Sequence, residues 1–194
     1  MTGAGFRLDL HRCVGCGACV LACRIENGRV ESAAWRRILP LNLRRRAGGP
    51  AYTFSVACHH CENPACLNGC PSRAYARRPD GVVVHDEHRC LGCRYCEMTC
   101  PFGTPVFDGD RGVVSKCPLC AHRLDAGLAP ACVAACPTGA LQFAEAGSAR
   151  PPGDTAGVPG FADPAGCRPN LTFTPPRGQV RSPLFERLVE RNRR

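Results

Sequence analysis

Apolar and polar positions alternate along this chain only in short stretches, each cut off by a turn or a cysteine. Phe6-Arg7-Leu8-Asp9-Leu10 has the two-residue period of a half-buried strand. Pro79-Asp80-Gly81 carries the residue types of a tight turn, and Val82-Val83-Val84-His85-Asp86 after it predicts a short strand. The same order recurs near residue 140, where a turn at Pro137-Thr138-Gly139 leads into a strand at Ala140-Leu141-Gln142-Phe143. Residues 146–183 are rich in Pro and Gly with little periodicity and predict an irregular tail. Leu184, Phe185, Leu188 and Val189 then share a helical face, which predicts a short helix at the surface or against a partner. No run of about 18 apolar residues occurs, so the chain carries no predicted membrane span of its own. Its first residues lack the basic and apolar regions of a secretory signal.

What punctuates this pattern is cysteine. Of 17 cysteines, all but Cys167 fall into four groups. They are Cys13, Cys16, Cys19, Cys23; then Cys58, Cys61, Cys66, Cys70; then Cys90, Cys93, Cys96, Cys100; and Cys117, Cys120, Cys132, Cys136. Each group opens C-x2-C and closes C-x3-C, and only the middle gap varies. Pro71, Pro101 and Pro137 follow the last cysteine of three groups, whereas Arg24 follows Cys23. This is an internal repeat, and it governs the fold prediction. Groups two and three, with the turn and strand between them, form one unit over residues 54–107. Group four has no fifth group after it, so its partner is group one, with its strand, at the other end of the chain. Residues 1–30 and 108–145 then form an outer unit into which 54–107 is inserted. Residues 146–194 are left as an irregular tail for partner docking. The stretch Arg36–Gly49, with its Arg44-Arg45-Arg46 run, reads as a connection, a solvated face or a partner contact.

Four thiolates that close a cubane must come from different directions. A C-x2-C-x2-C loop supplies three of them, because two-residue gaps keep successive sulfurs close on one turn. In bacterial ferredoxins the run is C-x2-C-x2-C-x3-C-P, and its fourth cysteine ligates the other cluster of a pair. Groups one and three match that spacing, and group three also has the proline. Small residues such as Gly15, Gly17 and Gly92 let backbone N–H groups approach the sulfurs and tune them. Structural zinc also uses C-x2-C pairs, but it needs pairs of pairs, and a triplet suits a cube better. Disulfides belong to secreted chains, for which no signal is visible. Radical chemistry needs an iron left open, and all sixteen positions here can be paired.

Composition agrees with a scaffold held by metal. Of 194 residues, 21 are Gly and 18 Pro, and only 6% are aromatic, thin material for a conventional core. The net charge of +9 comes from 24 Arg and one Lys, Lys116. Nucleic acid is the ordinary partner of such a balance. Four clusters with their thiolates, however, would carry roughly −8, which makes the arginines counter-charges first and excludes nucleic acid as the leading partner.

The residues also carry a family resemblance. Cys58-His59-His60-Cys61-Glu62-Asn63-Pro64-Ala65-Cys66 resembles the second cysteine group of the iron–sulfur electron-transfer subunits of the dimethyl sulfoxide reductase family. Cys90-Leu91-Gly92-Cys93-Arg94-Tyr95-Cys96-Glu97-Met98-Thr99-Cys100-Pro101-Phe102-Gly103 is similar to the third, and Arg168-Pro169-Asn170-Leu171-Thr172-Phe173 to the family's C-terminal tail. Polysulfide, thiosulfate, tetrathionate and arsenate reductase subunits are similar. The resemblance implies an α+β fold of two nested ferredoxin-like units, with short strands and helices, and four [4Fe–4S] clusters in a line. It implies that Cys13, Cys16, Cys19 and Cys136 hold one cluster, and Cys23, Cys117, Cys120 and Cys132 its neighbour. Cys58, Cys61, Cys66 and Cys100 would hold the third, and Cys70, Cys90, Cys93 and Cys96 the fourth. Some relatives put a tryptophan in the third group and carry a [3Fe–4S] cluster; here the cysteines are intact.

The resemblance further implies a molybdopterin-containing catalytic subunit and a membrane quinone-reactive anchor as partners. The chain itself would be non-catalytic, an electron relay of anaerobic respiration. It would sit peripherally on a membrane-associated complex, at the extracytoplasmic face by co-export with a partner or at the cytoplasmic face. The alternative is a free polyferredoxin serving soluble redox partners. His11, His59, His60, His85, His88 and His122 lie scattered beside the cysteine groups and read as surface or supporting residues, and Cys167 reads as a plain loop thiol.

Overall fold

A computed structural model describes residues 3–28, 34–41, 52–158, 161 and 166–175. The Arg44–Arg46 run and the predicted terminal helix lie outside these residues. Strand β1, Gly5–Asp9, is the hub. Its apolar residues Phe6 and Leu8 are buried, as the alternation requires, while Arg7 and Asp9 are only half-buried. On one side β1 pairs antiparallel with β8, Leu141–Ala144, placing Leu8 opposite Leu141. On the other it pairs parallel with β9, Leu171–Thr174, placing Leu8 opposite Phe173. The three-stranded sheet β8-β1-β9 therefore ties together segments far apart in the chain.

Among the described residues, three two-stranded hairpins complete the strand content. They pair β2 (Arg37–Leu41) with β3 (Tyr52–Val56), β4 (Tyr75–Arg77) with β5 (Val83–His85), and β6 (Val106–Asp108) with β7 (Val113–Ser115). The stretch from Arg36, read as a connection, thus begins as a strand. The predicted irregular tail also needs correction at 171–174, where β9 joins the sheet. The bridge between Thr155 and Phe173 and the contacts of Asp154 anchor the preceding loop to it.

The helices are short because the chain stops them. Helices α2 (Ala65–Asn68), α3 (Tyr95–Thr99) and α5 (Ala131–Ala134) end just before a Cys-Pro pair. A residue before proline is pushed out of the helical region. Helix α1 (Ala18–Glu26) has Arg24 where the others have proline, and it runs on past Cys23. Helix α4 (Ala121–Asp125) lies in the long middle gap of group four. After each Cys-Pro the chain makes the same turn, with positive φ at Arg73, Gly103 and Gly139 and an N–H from that residue to the carbonyl of Cys70, Cys100 or Cys136. The larger core is Phe6, Leu8, Phe54, Val56, Leu119, Leu141, Leu171 and Phe173 with Cys19 and Cys132; a second gathers Cys66, Tyr75, Val83, Cys96 and Val114. Thiols occupy core positions that a conventional domain would give to Leu or Val.

Candidate functional site

The four C-x2-C loops share one backbone device. The residue before the second cysteine has positive φ in each: Gly15 at 70°, His60 at 45°, Gly92 at 65° and Leu119 at 57°. In three of the four loops this left-handed residue turns its own N–H back toward the first sulfur. Gly92 N and Leu119 N donate to Cys90 Sγ and Cys117 Sγ, each at 3.4 Å, and the Gly15 N–H bonds to the Cys13 thiol. Gly92 is required twice over, since a Cβ there would lie 2.2 Å from Gly112 O. That His and Leu adopt the same conformation in the other two loops carries no signal in the sequence, where only the glycines stand out.

The last cysteine of a group is served differently. Cys70 Sγ accepts from Ala74 N at 3.4 Å and lies 3.5 Å from Ser72 Oγ. Cys136 Sγ accepts from Leu141 N at 3.4 Å and lies 3.7 Å from Thr138 Oγ1. Burial alone would raise these two thiols, but the donors outweigh it and hold both below the ordinary range. Elsewhere crowding prevails. Burial, then neighbouring thiols, push Cys23 up to about 11 and Cys66 to about 12, and raise Cys61 and Cys117 further. Only a strongly cationic core makes such sets thiolate together.

Thiols of different groups come together. Cys13, Cys16, Cys19 and Cys136 line one recess, and Cys70, Cys90, Cys93 and Cys96 line another, both partly open to solvent. Cys23 lies near Cys132, Cys120 and Cys19, and Cys117 near Cys23, Cys58 and Cys132. Cys61 faces Cys58, Cys100 and Cys66. Among the described residues no three His, Cys, Asp or Glu side chains converge tightly enough to grip one ion. The thiols ring spaces instead, which fits a multi-atom core.

The remaining candidates sort by burial. His59 and His60 are 2% and 0% exposed. Burial, helped by Arg36 and His60, holds His59 down at about 3, and burial with Lys116 holds His60 well below its usual value, so both rings are neutral. His60 Nδ1 accepts from Val83 N at 3.0 Å. Cys167, read as a plain loop thiol, is buried beside Cys61, and its carbonyl accepts from Asn63 N at 3.1 Å. Sequence reasoning missed two buried cations, Arg36 and Lys116. Burial would lower the Arg36 pKa, but the thiols of Cys132, Cys117, Cys19 and Cys23 more than offset this. Lys116 Nζ donates to the carbonyls of Val83 and Cys117.

Comparison with known proteins agrees with this chemistry. A family model described as a 4Fe-4S dicluster domain matches residues 50–146, and one described as a 4Fe-4S binding domain matches residues 6–26. One chain of the anaerobic dimethyl sulfoxide reductase of Escherichia coli is 38% identical over 188 residues, covering 90% of this chain and 89% of the relative. The thiosulfate reductase electron transfer subunit PhsB of Salmonella typhi is 41% identical over 139 residues, covering 70% and 72%. A tetrathionate reductase subunit from Salmonella typhimurium is 40% identical over 136 residues, covering 69% and 54%. The chain belongs to the iron–sulfur subunit family of the dimethyl sulfoxide reductases. Members of this family are electron-transfer subunits of reductase complexes, not catalytic ones, and this chain is an electron-transfer subunit with [4Fe–4S] clusters as its cofactors. Its cysteines fit that cofactor in number, in the N–H···S bonds they receive and in the spaces they enclose.

Proposed function

We propose that this chain relays electrons through four [4Fe–4S] clusters between a membrane quinol-oxidising subunit and a molybdopterin catalytic subunit. The clusters are assigned to the four cysteine sets named above. Each supplies one-electron acceptance and donation without bond making in the protein. The observation that carries the reading is the unbroken succession of thiol sets. Cys19 and Cys23, one turn apart on α1, link the first set to the second. Cys117 packs with Cys58 between second and third, and Cys66 with Cys96 between third and fourth.

The two ends of the succession support two partners. Cys16 in the first set and Cys93 in the fourth are the exposed cysteines. Each lies in a group that also exposes apolar side chains, Val14 with Leu21 and Ile25 at one end and Leu91 with Tyr95 and Met98 at the other. Met98 is 80% exposed. Such patches mark surfaces that another protein covers. No helix among the described residues is long and apolar enough to cross a membrane. The proposed place is therefore peripheral, on a membrane-associated complex.

Coulometric reduction of the anaerobically purified complex tests the reading once the electrons taken up by the catalytic subunit alone are measured and subtracted, with four electrons left per copy of this chain as the expected result; two or none contradicts it. Partner dependence is tested by truncating the chain after Pro175, which spares β9, and co-purifying the complex. A subunit loses its partner or holds it more weakly, whereas a free carrier of soluble partners shows no stable complex with or without the tail.

A further inference from the structure

Arg36 is the largest of the fully buried side chains, at 1% exposure. An isolated buried guanidinium is costly unless opposite charge surrounds it. Here the surrounding acidic groups are the thiols of Cys132, Cys117, Cys19 and Cys23, which divide between the first and second cysteine sets. Its placement is specific. Nη1 donates to Ser55 Oγ at 2.9 Å, and that oxygen lies 3.4 Å from Cys19 Sγ. The guanidinium carbon stands 4.5 Å from the centre of the Phe6 ring, which fixes its plane. Nε and Nη2 are buried with no oxygen or nitrogen acceptor, and the guanidinium lies within hydrogen-bonding reach of the Cys132 thiol, where it opposes the burial that raises that thiol. Its free donors thus have sulfur, not oxygen, for company.

We propose that Arg36 is a potential-setting counter-charge shared by the sites of Cys13, Cys16, Cys19, Cys136 and of Cys23, Cys117, Cys120, Cys132, favouring the reduced state at both. This rests on the cluster assignment above. An electron added at either site brings one negative charge, breaks no bond and moves no proton, because a guanidinium stays ionised at every working pH. The added charge is felt strongly by a cation sealed from water beside it. Arg36 is a positioning residue, acting through the thiolates and accepting no electron itself.

The test is a potentiometric titration, followed by electron paramagnetic resonance, of the anaerobically purified complex carrying native chain, Arg36→Gln or Arg36→Lys. In Arg36→Gln two of four transitions move to lower potential and the other two stay; in Arg36→Lys the same two move less. Unmoved transitions at full iron content, or an equal shift of all four, overturn the proposal and leave the cluster assignment standing. A native protein without cubane signals overturns the assignment itself. Should Arg36→Gln fail to retain iron, Arg36→Lys decides, since it keeps a cation but loses the fork that reaches the thiols. A smaller shift of the same two transitions to lower potential then supports the proposal, and unchanged potentials overturn it.

Discussion

Arg36, beside groups one and four, and Lys116, whose ammonium reaches the region of groups two and three, are both buried next to thiols, yet of the two only Arg36 has buried nitrogens that meet no oxygen or nitrogen acceptor. Two of the three N–H donors of Lys116 go to backbone carbonyls, those of Val83 and Cys117. It still opposes the burial that raises the Cys66 thiol, and it adds to the burial that lowers the rings of His60 and His85, but as a charge and not as a hydrogen-bond donor. The Arg36 guanidinium donates to Ser55 and also reaches the Cys132 thiol, and it feels the thiols of Cys117, Cys19 and Cys23 as charges. The difference teaches that a buried cation can serve a metal scaffold in two ways. One closes backbone groups that would otherwise be orphaned, the other is held open toward the ligands.

The largest expected effect separates these roles. Lys116→Met strands two buried carbonyls and removes the cation, and should cost about 3 kcal/mol. Thermal unfolding of the loaded protein measures it. Arg36→Gln should cost less in stability while changing potentials, and equal losses in the two variants would erase the contrast. Next come the equivalent glycines of groups one and three. Both have positive φ, but a Cβ on Gly92 meets the fixed carbonyl of Gly112 at 2.2 Å, and one on Gly15 meets the Thr53 methyl at 3.0 Å. Gly92→Ala should therefore cost about 2 kcal/mol more than Gly15→Ala. It should also shed iron selectively from the site of Cys90, Cys93 and Cys96, as metal analysis of the two variants would show.

A third contrast concerns ion pairs. Arg7 Nη2 lies 3.2 Å from Asp154 Oδ1, Thr174 Oγ1 donates to the same oxygen at 2.8 Å, and Arg7 Nη1 donates to Gln142 Oε1 at 2.9 Å. One side chain of β1 thus ties β8, β9 and the loop at Asp154. Asp154→Asn should cost about 1–2 kcal/mol in denaturant unfolding. Asp125→Asn, which breaks an exposed pair with Arg78, should leave stability unchanged. Burial raises the Asp154 pKa, but the bonds from Arg7 and Thr174 outweigh it and hold it below the usual value. Its contribution is therefore complete above the ordinary carboxylate pKa of about 3.9 and is lost as pH falls below that toward the folded value. An acid titration of native chain against Asp154→Asn should converge only below that point. The smallest effect is at Arg73, exposed with φ of 52° where the matching turns have Gly103 and Gly139. Arg73→Gly should be neutral or stabilise by about 0.5 kcal/mol, measured in the same way.

Strands β1, β5 and β8 were legible because each carries its signal locally, as alternation or as an apolar run behind a turn. Strand β9 was not, because it pairs in parallel with a segment more than 160 residues earlier, and parallel pairing leaves no turn to read. Strand β2 contains Pro40, which argues against a strand in isolation, and β6 and β7 have three residues each. The cysteine groups were fully legible from spacing. What spacing could not show is that Arg36 is buried while Arg37 beside it is exposed. The Trp35-Arg36-Arg37 string looks like solvated charge, and only the two-residue period of the strand it enters, together with the thiols on one side, tells the two arginines apart. Charge alone had suggested counter-ions for clusters without saying which arginine serves.

The central claim is that sixteen cysteines enclose polynuclear iron in place of a greasy interior. Iron, zinc and acid-labile sulfide, determined per chain on protein purified without oxygen, test it most directly. The account predicts about sixteen irons and as many sulfides. A few zincs with no sulfide, or half that iron in protein with every thiol intact, would contradict it.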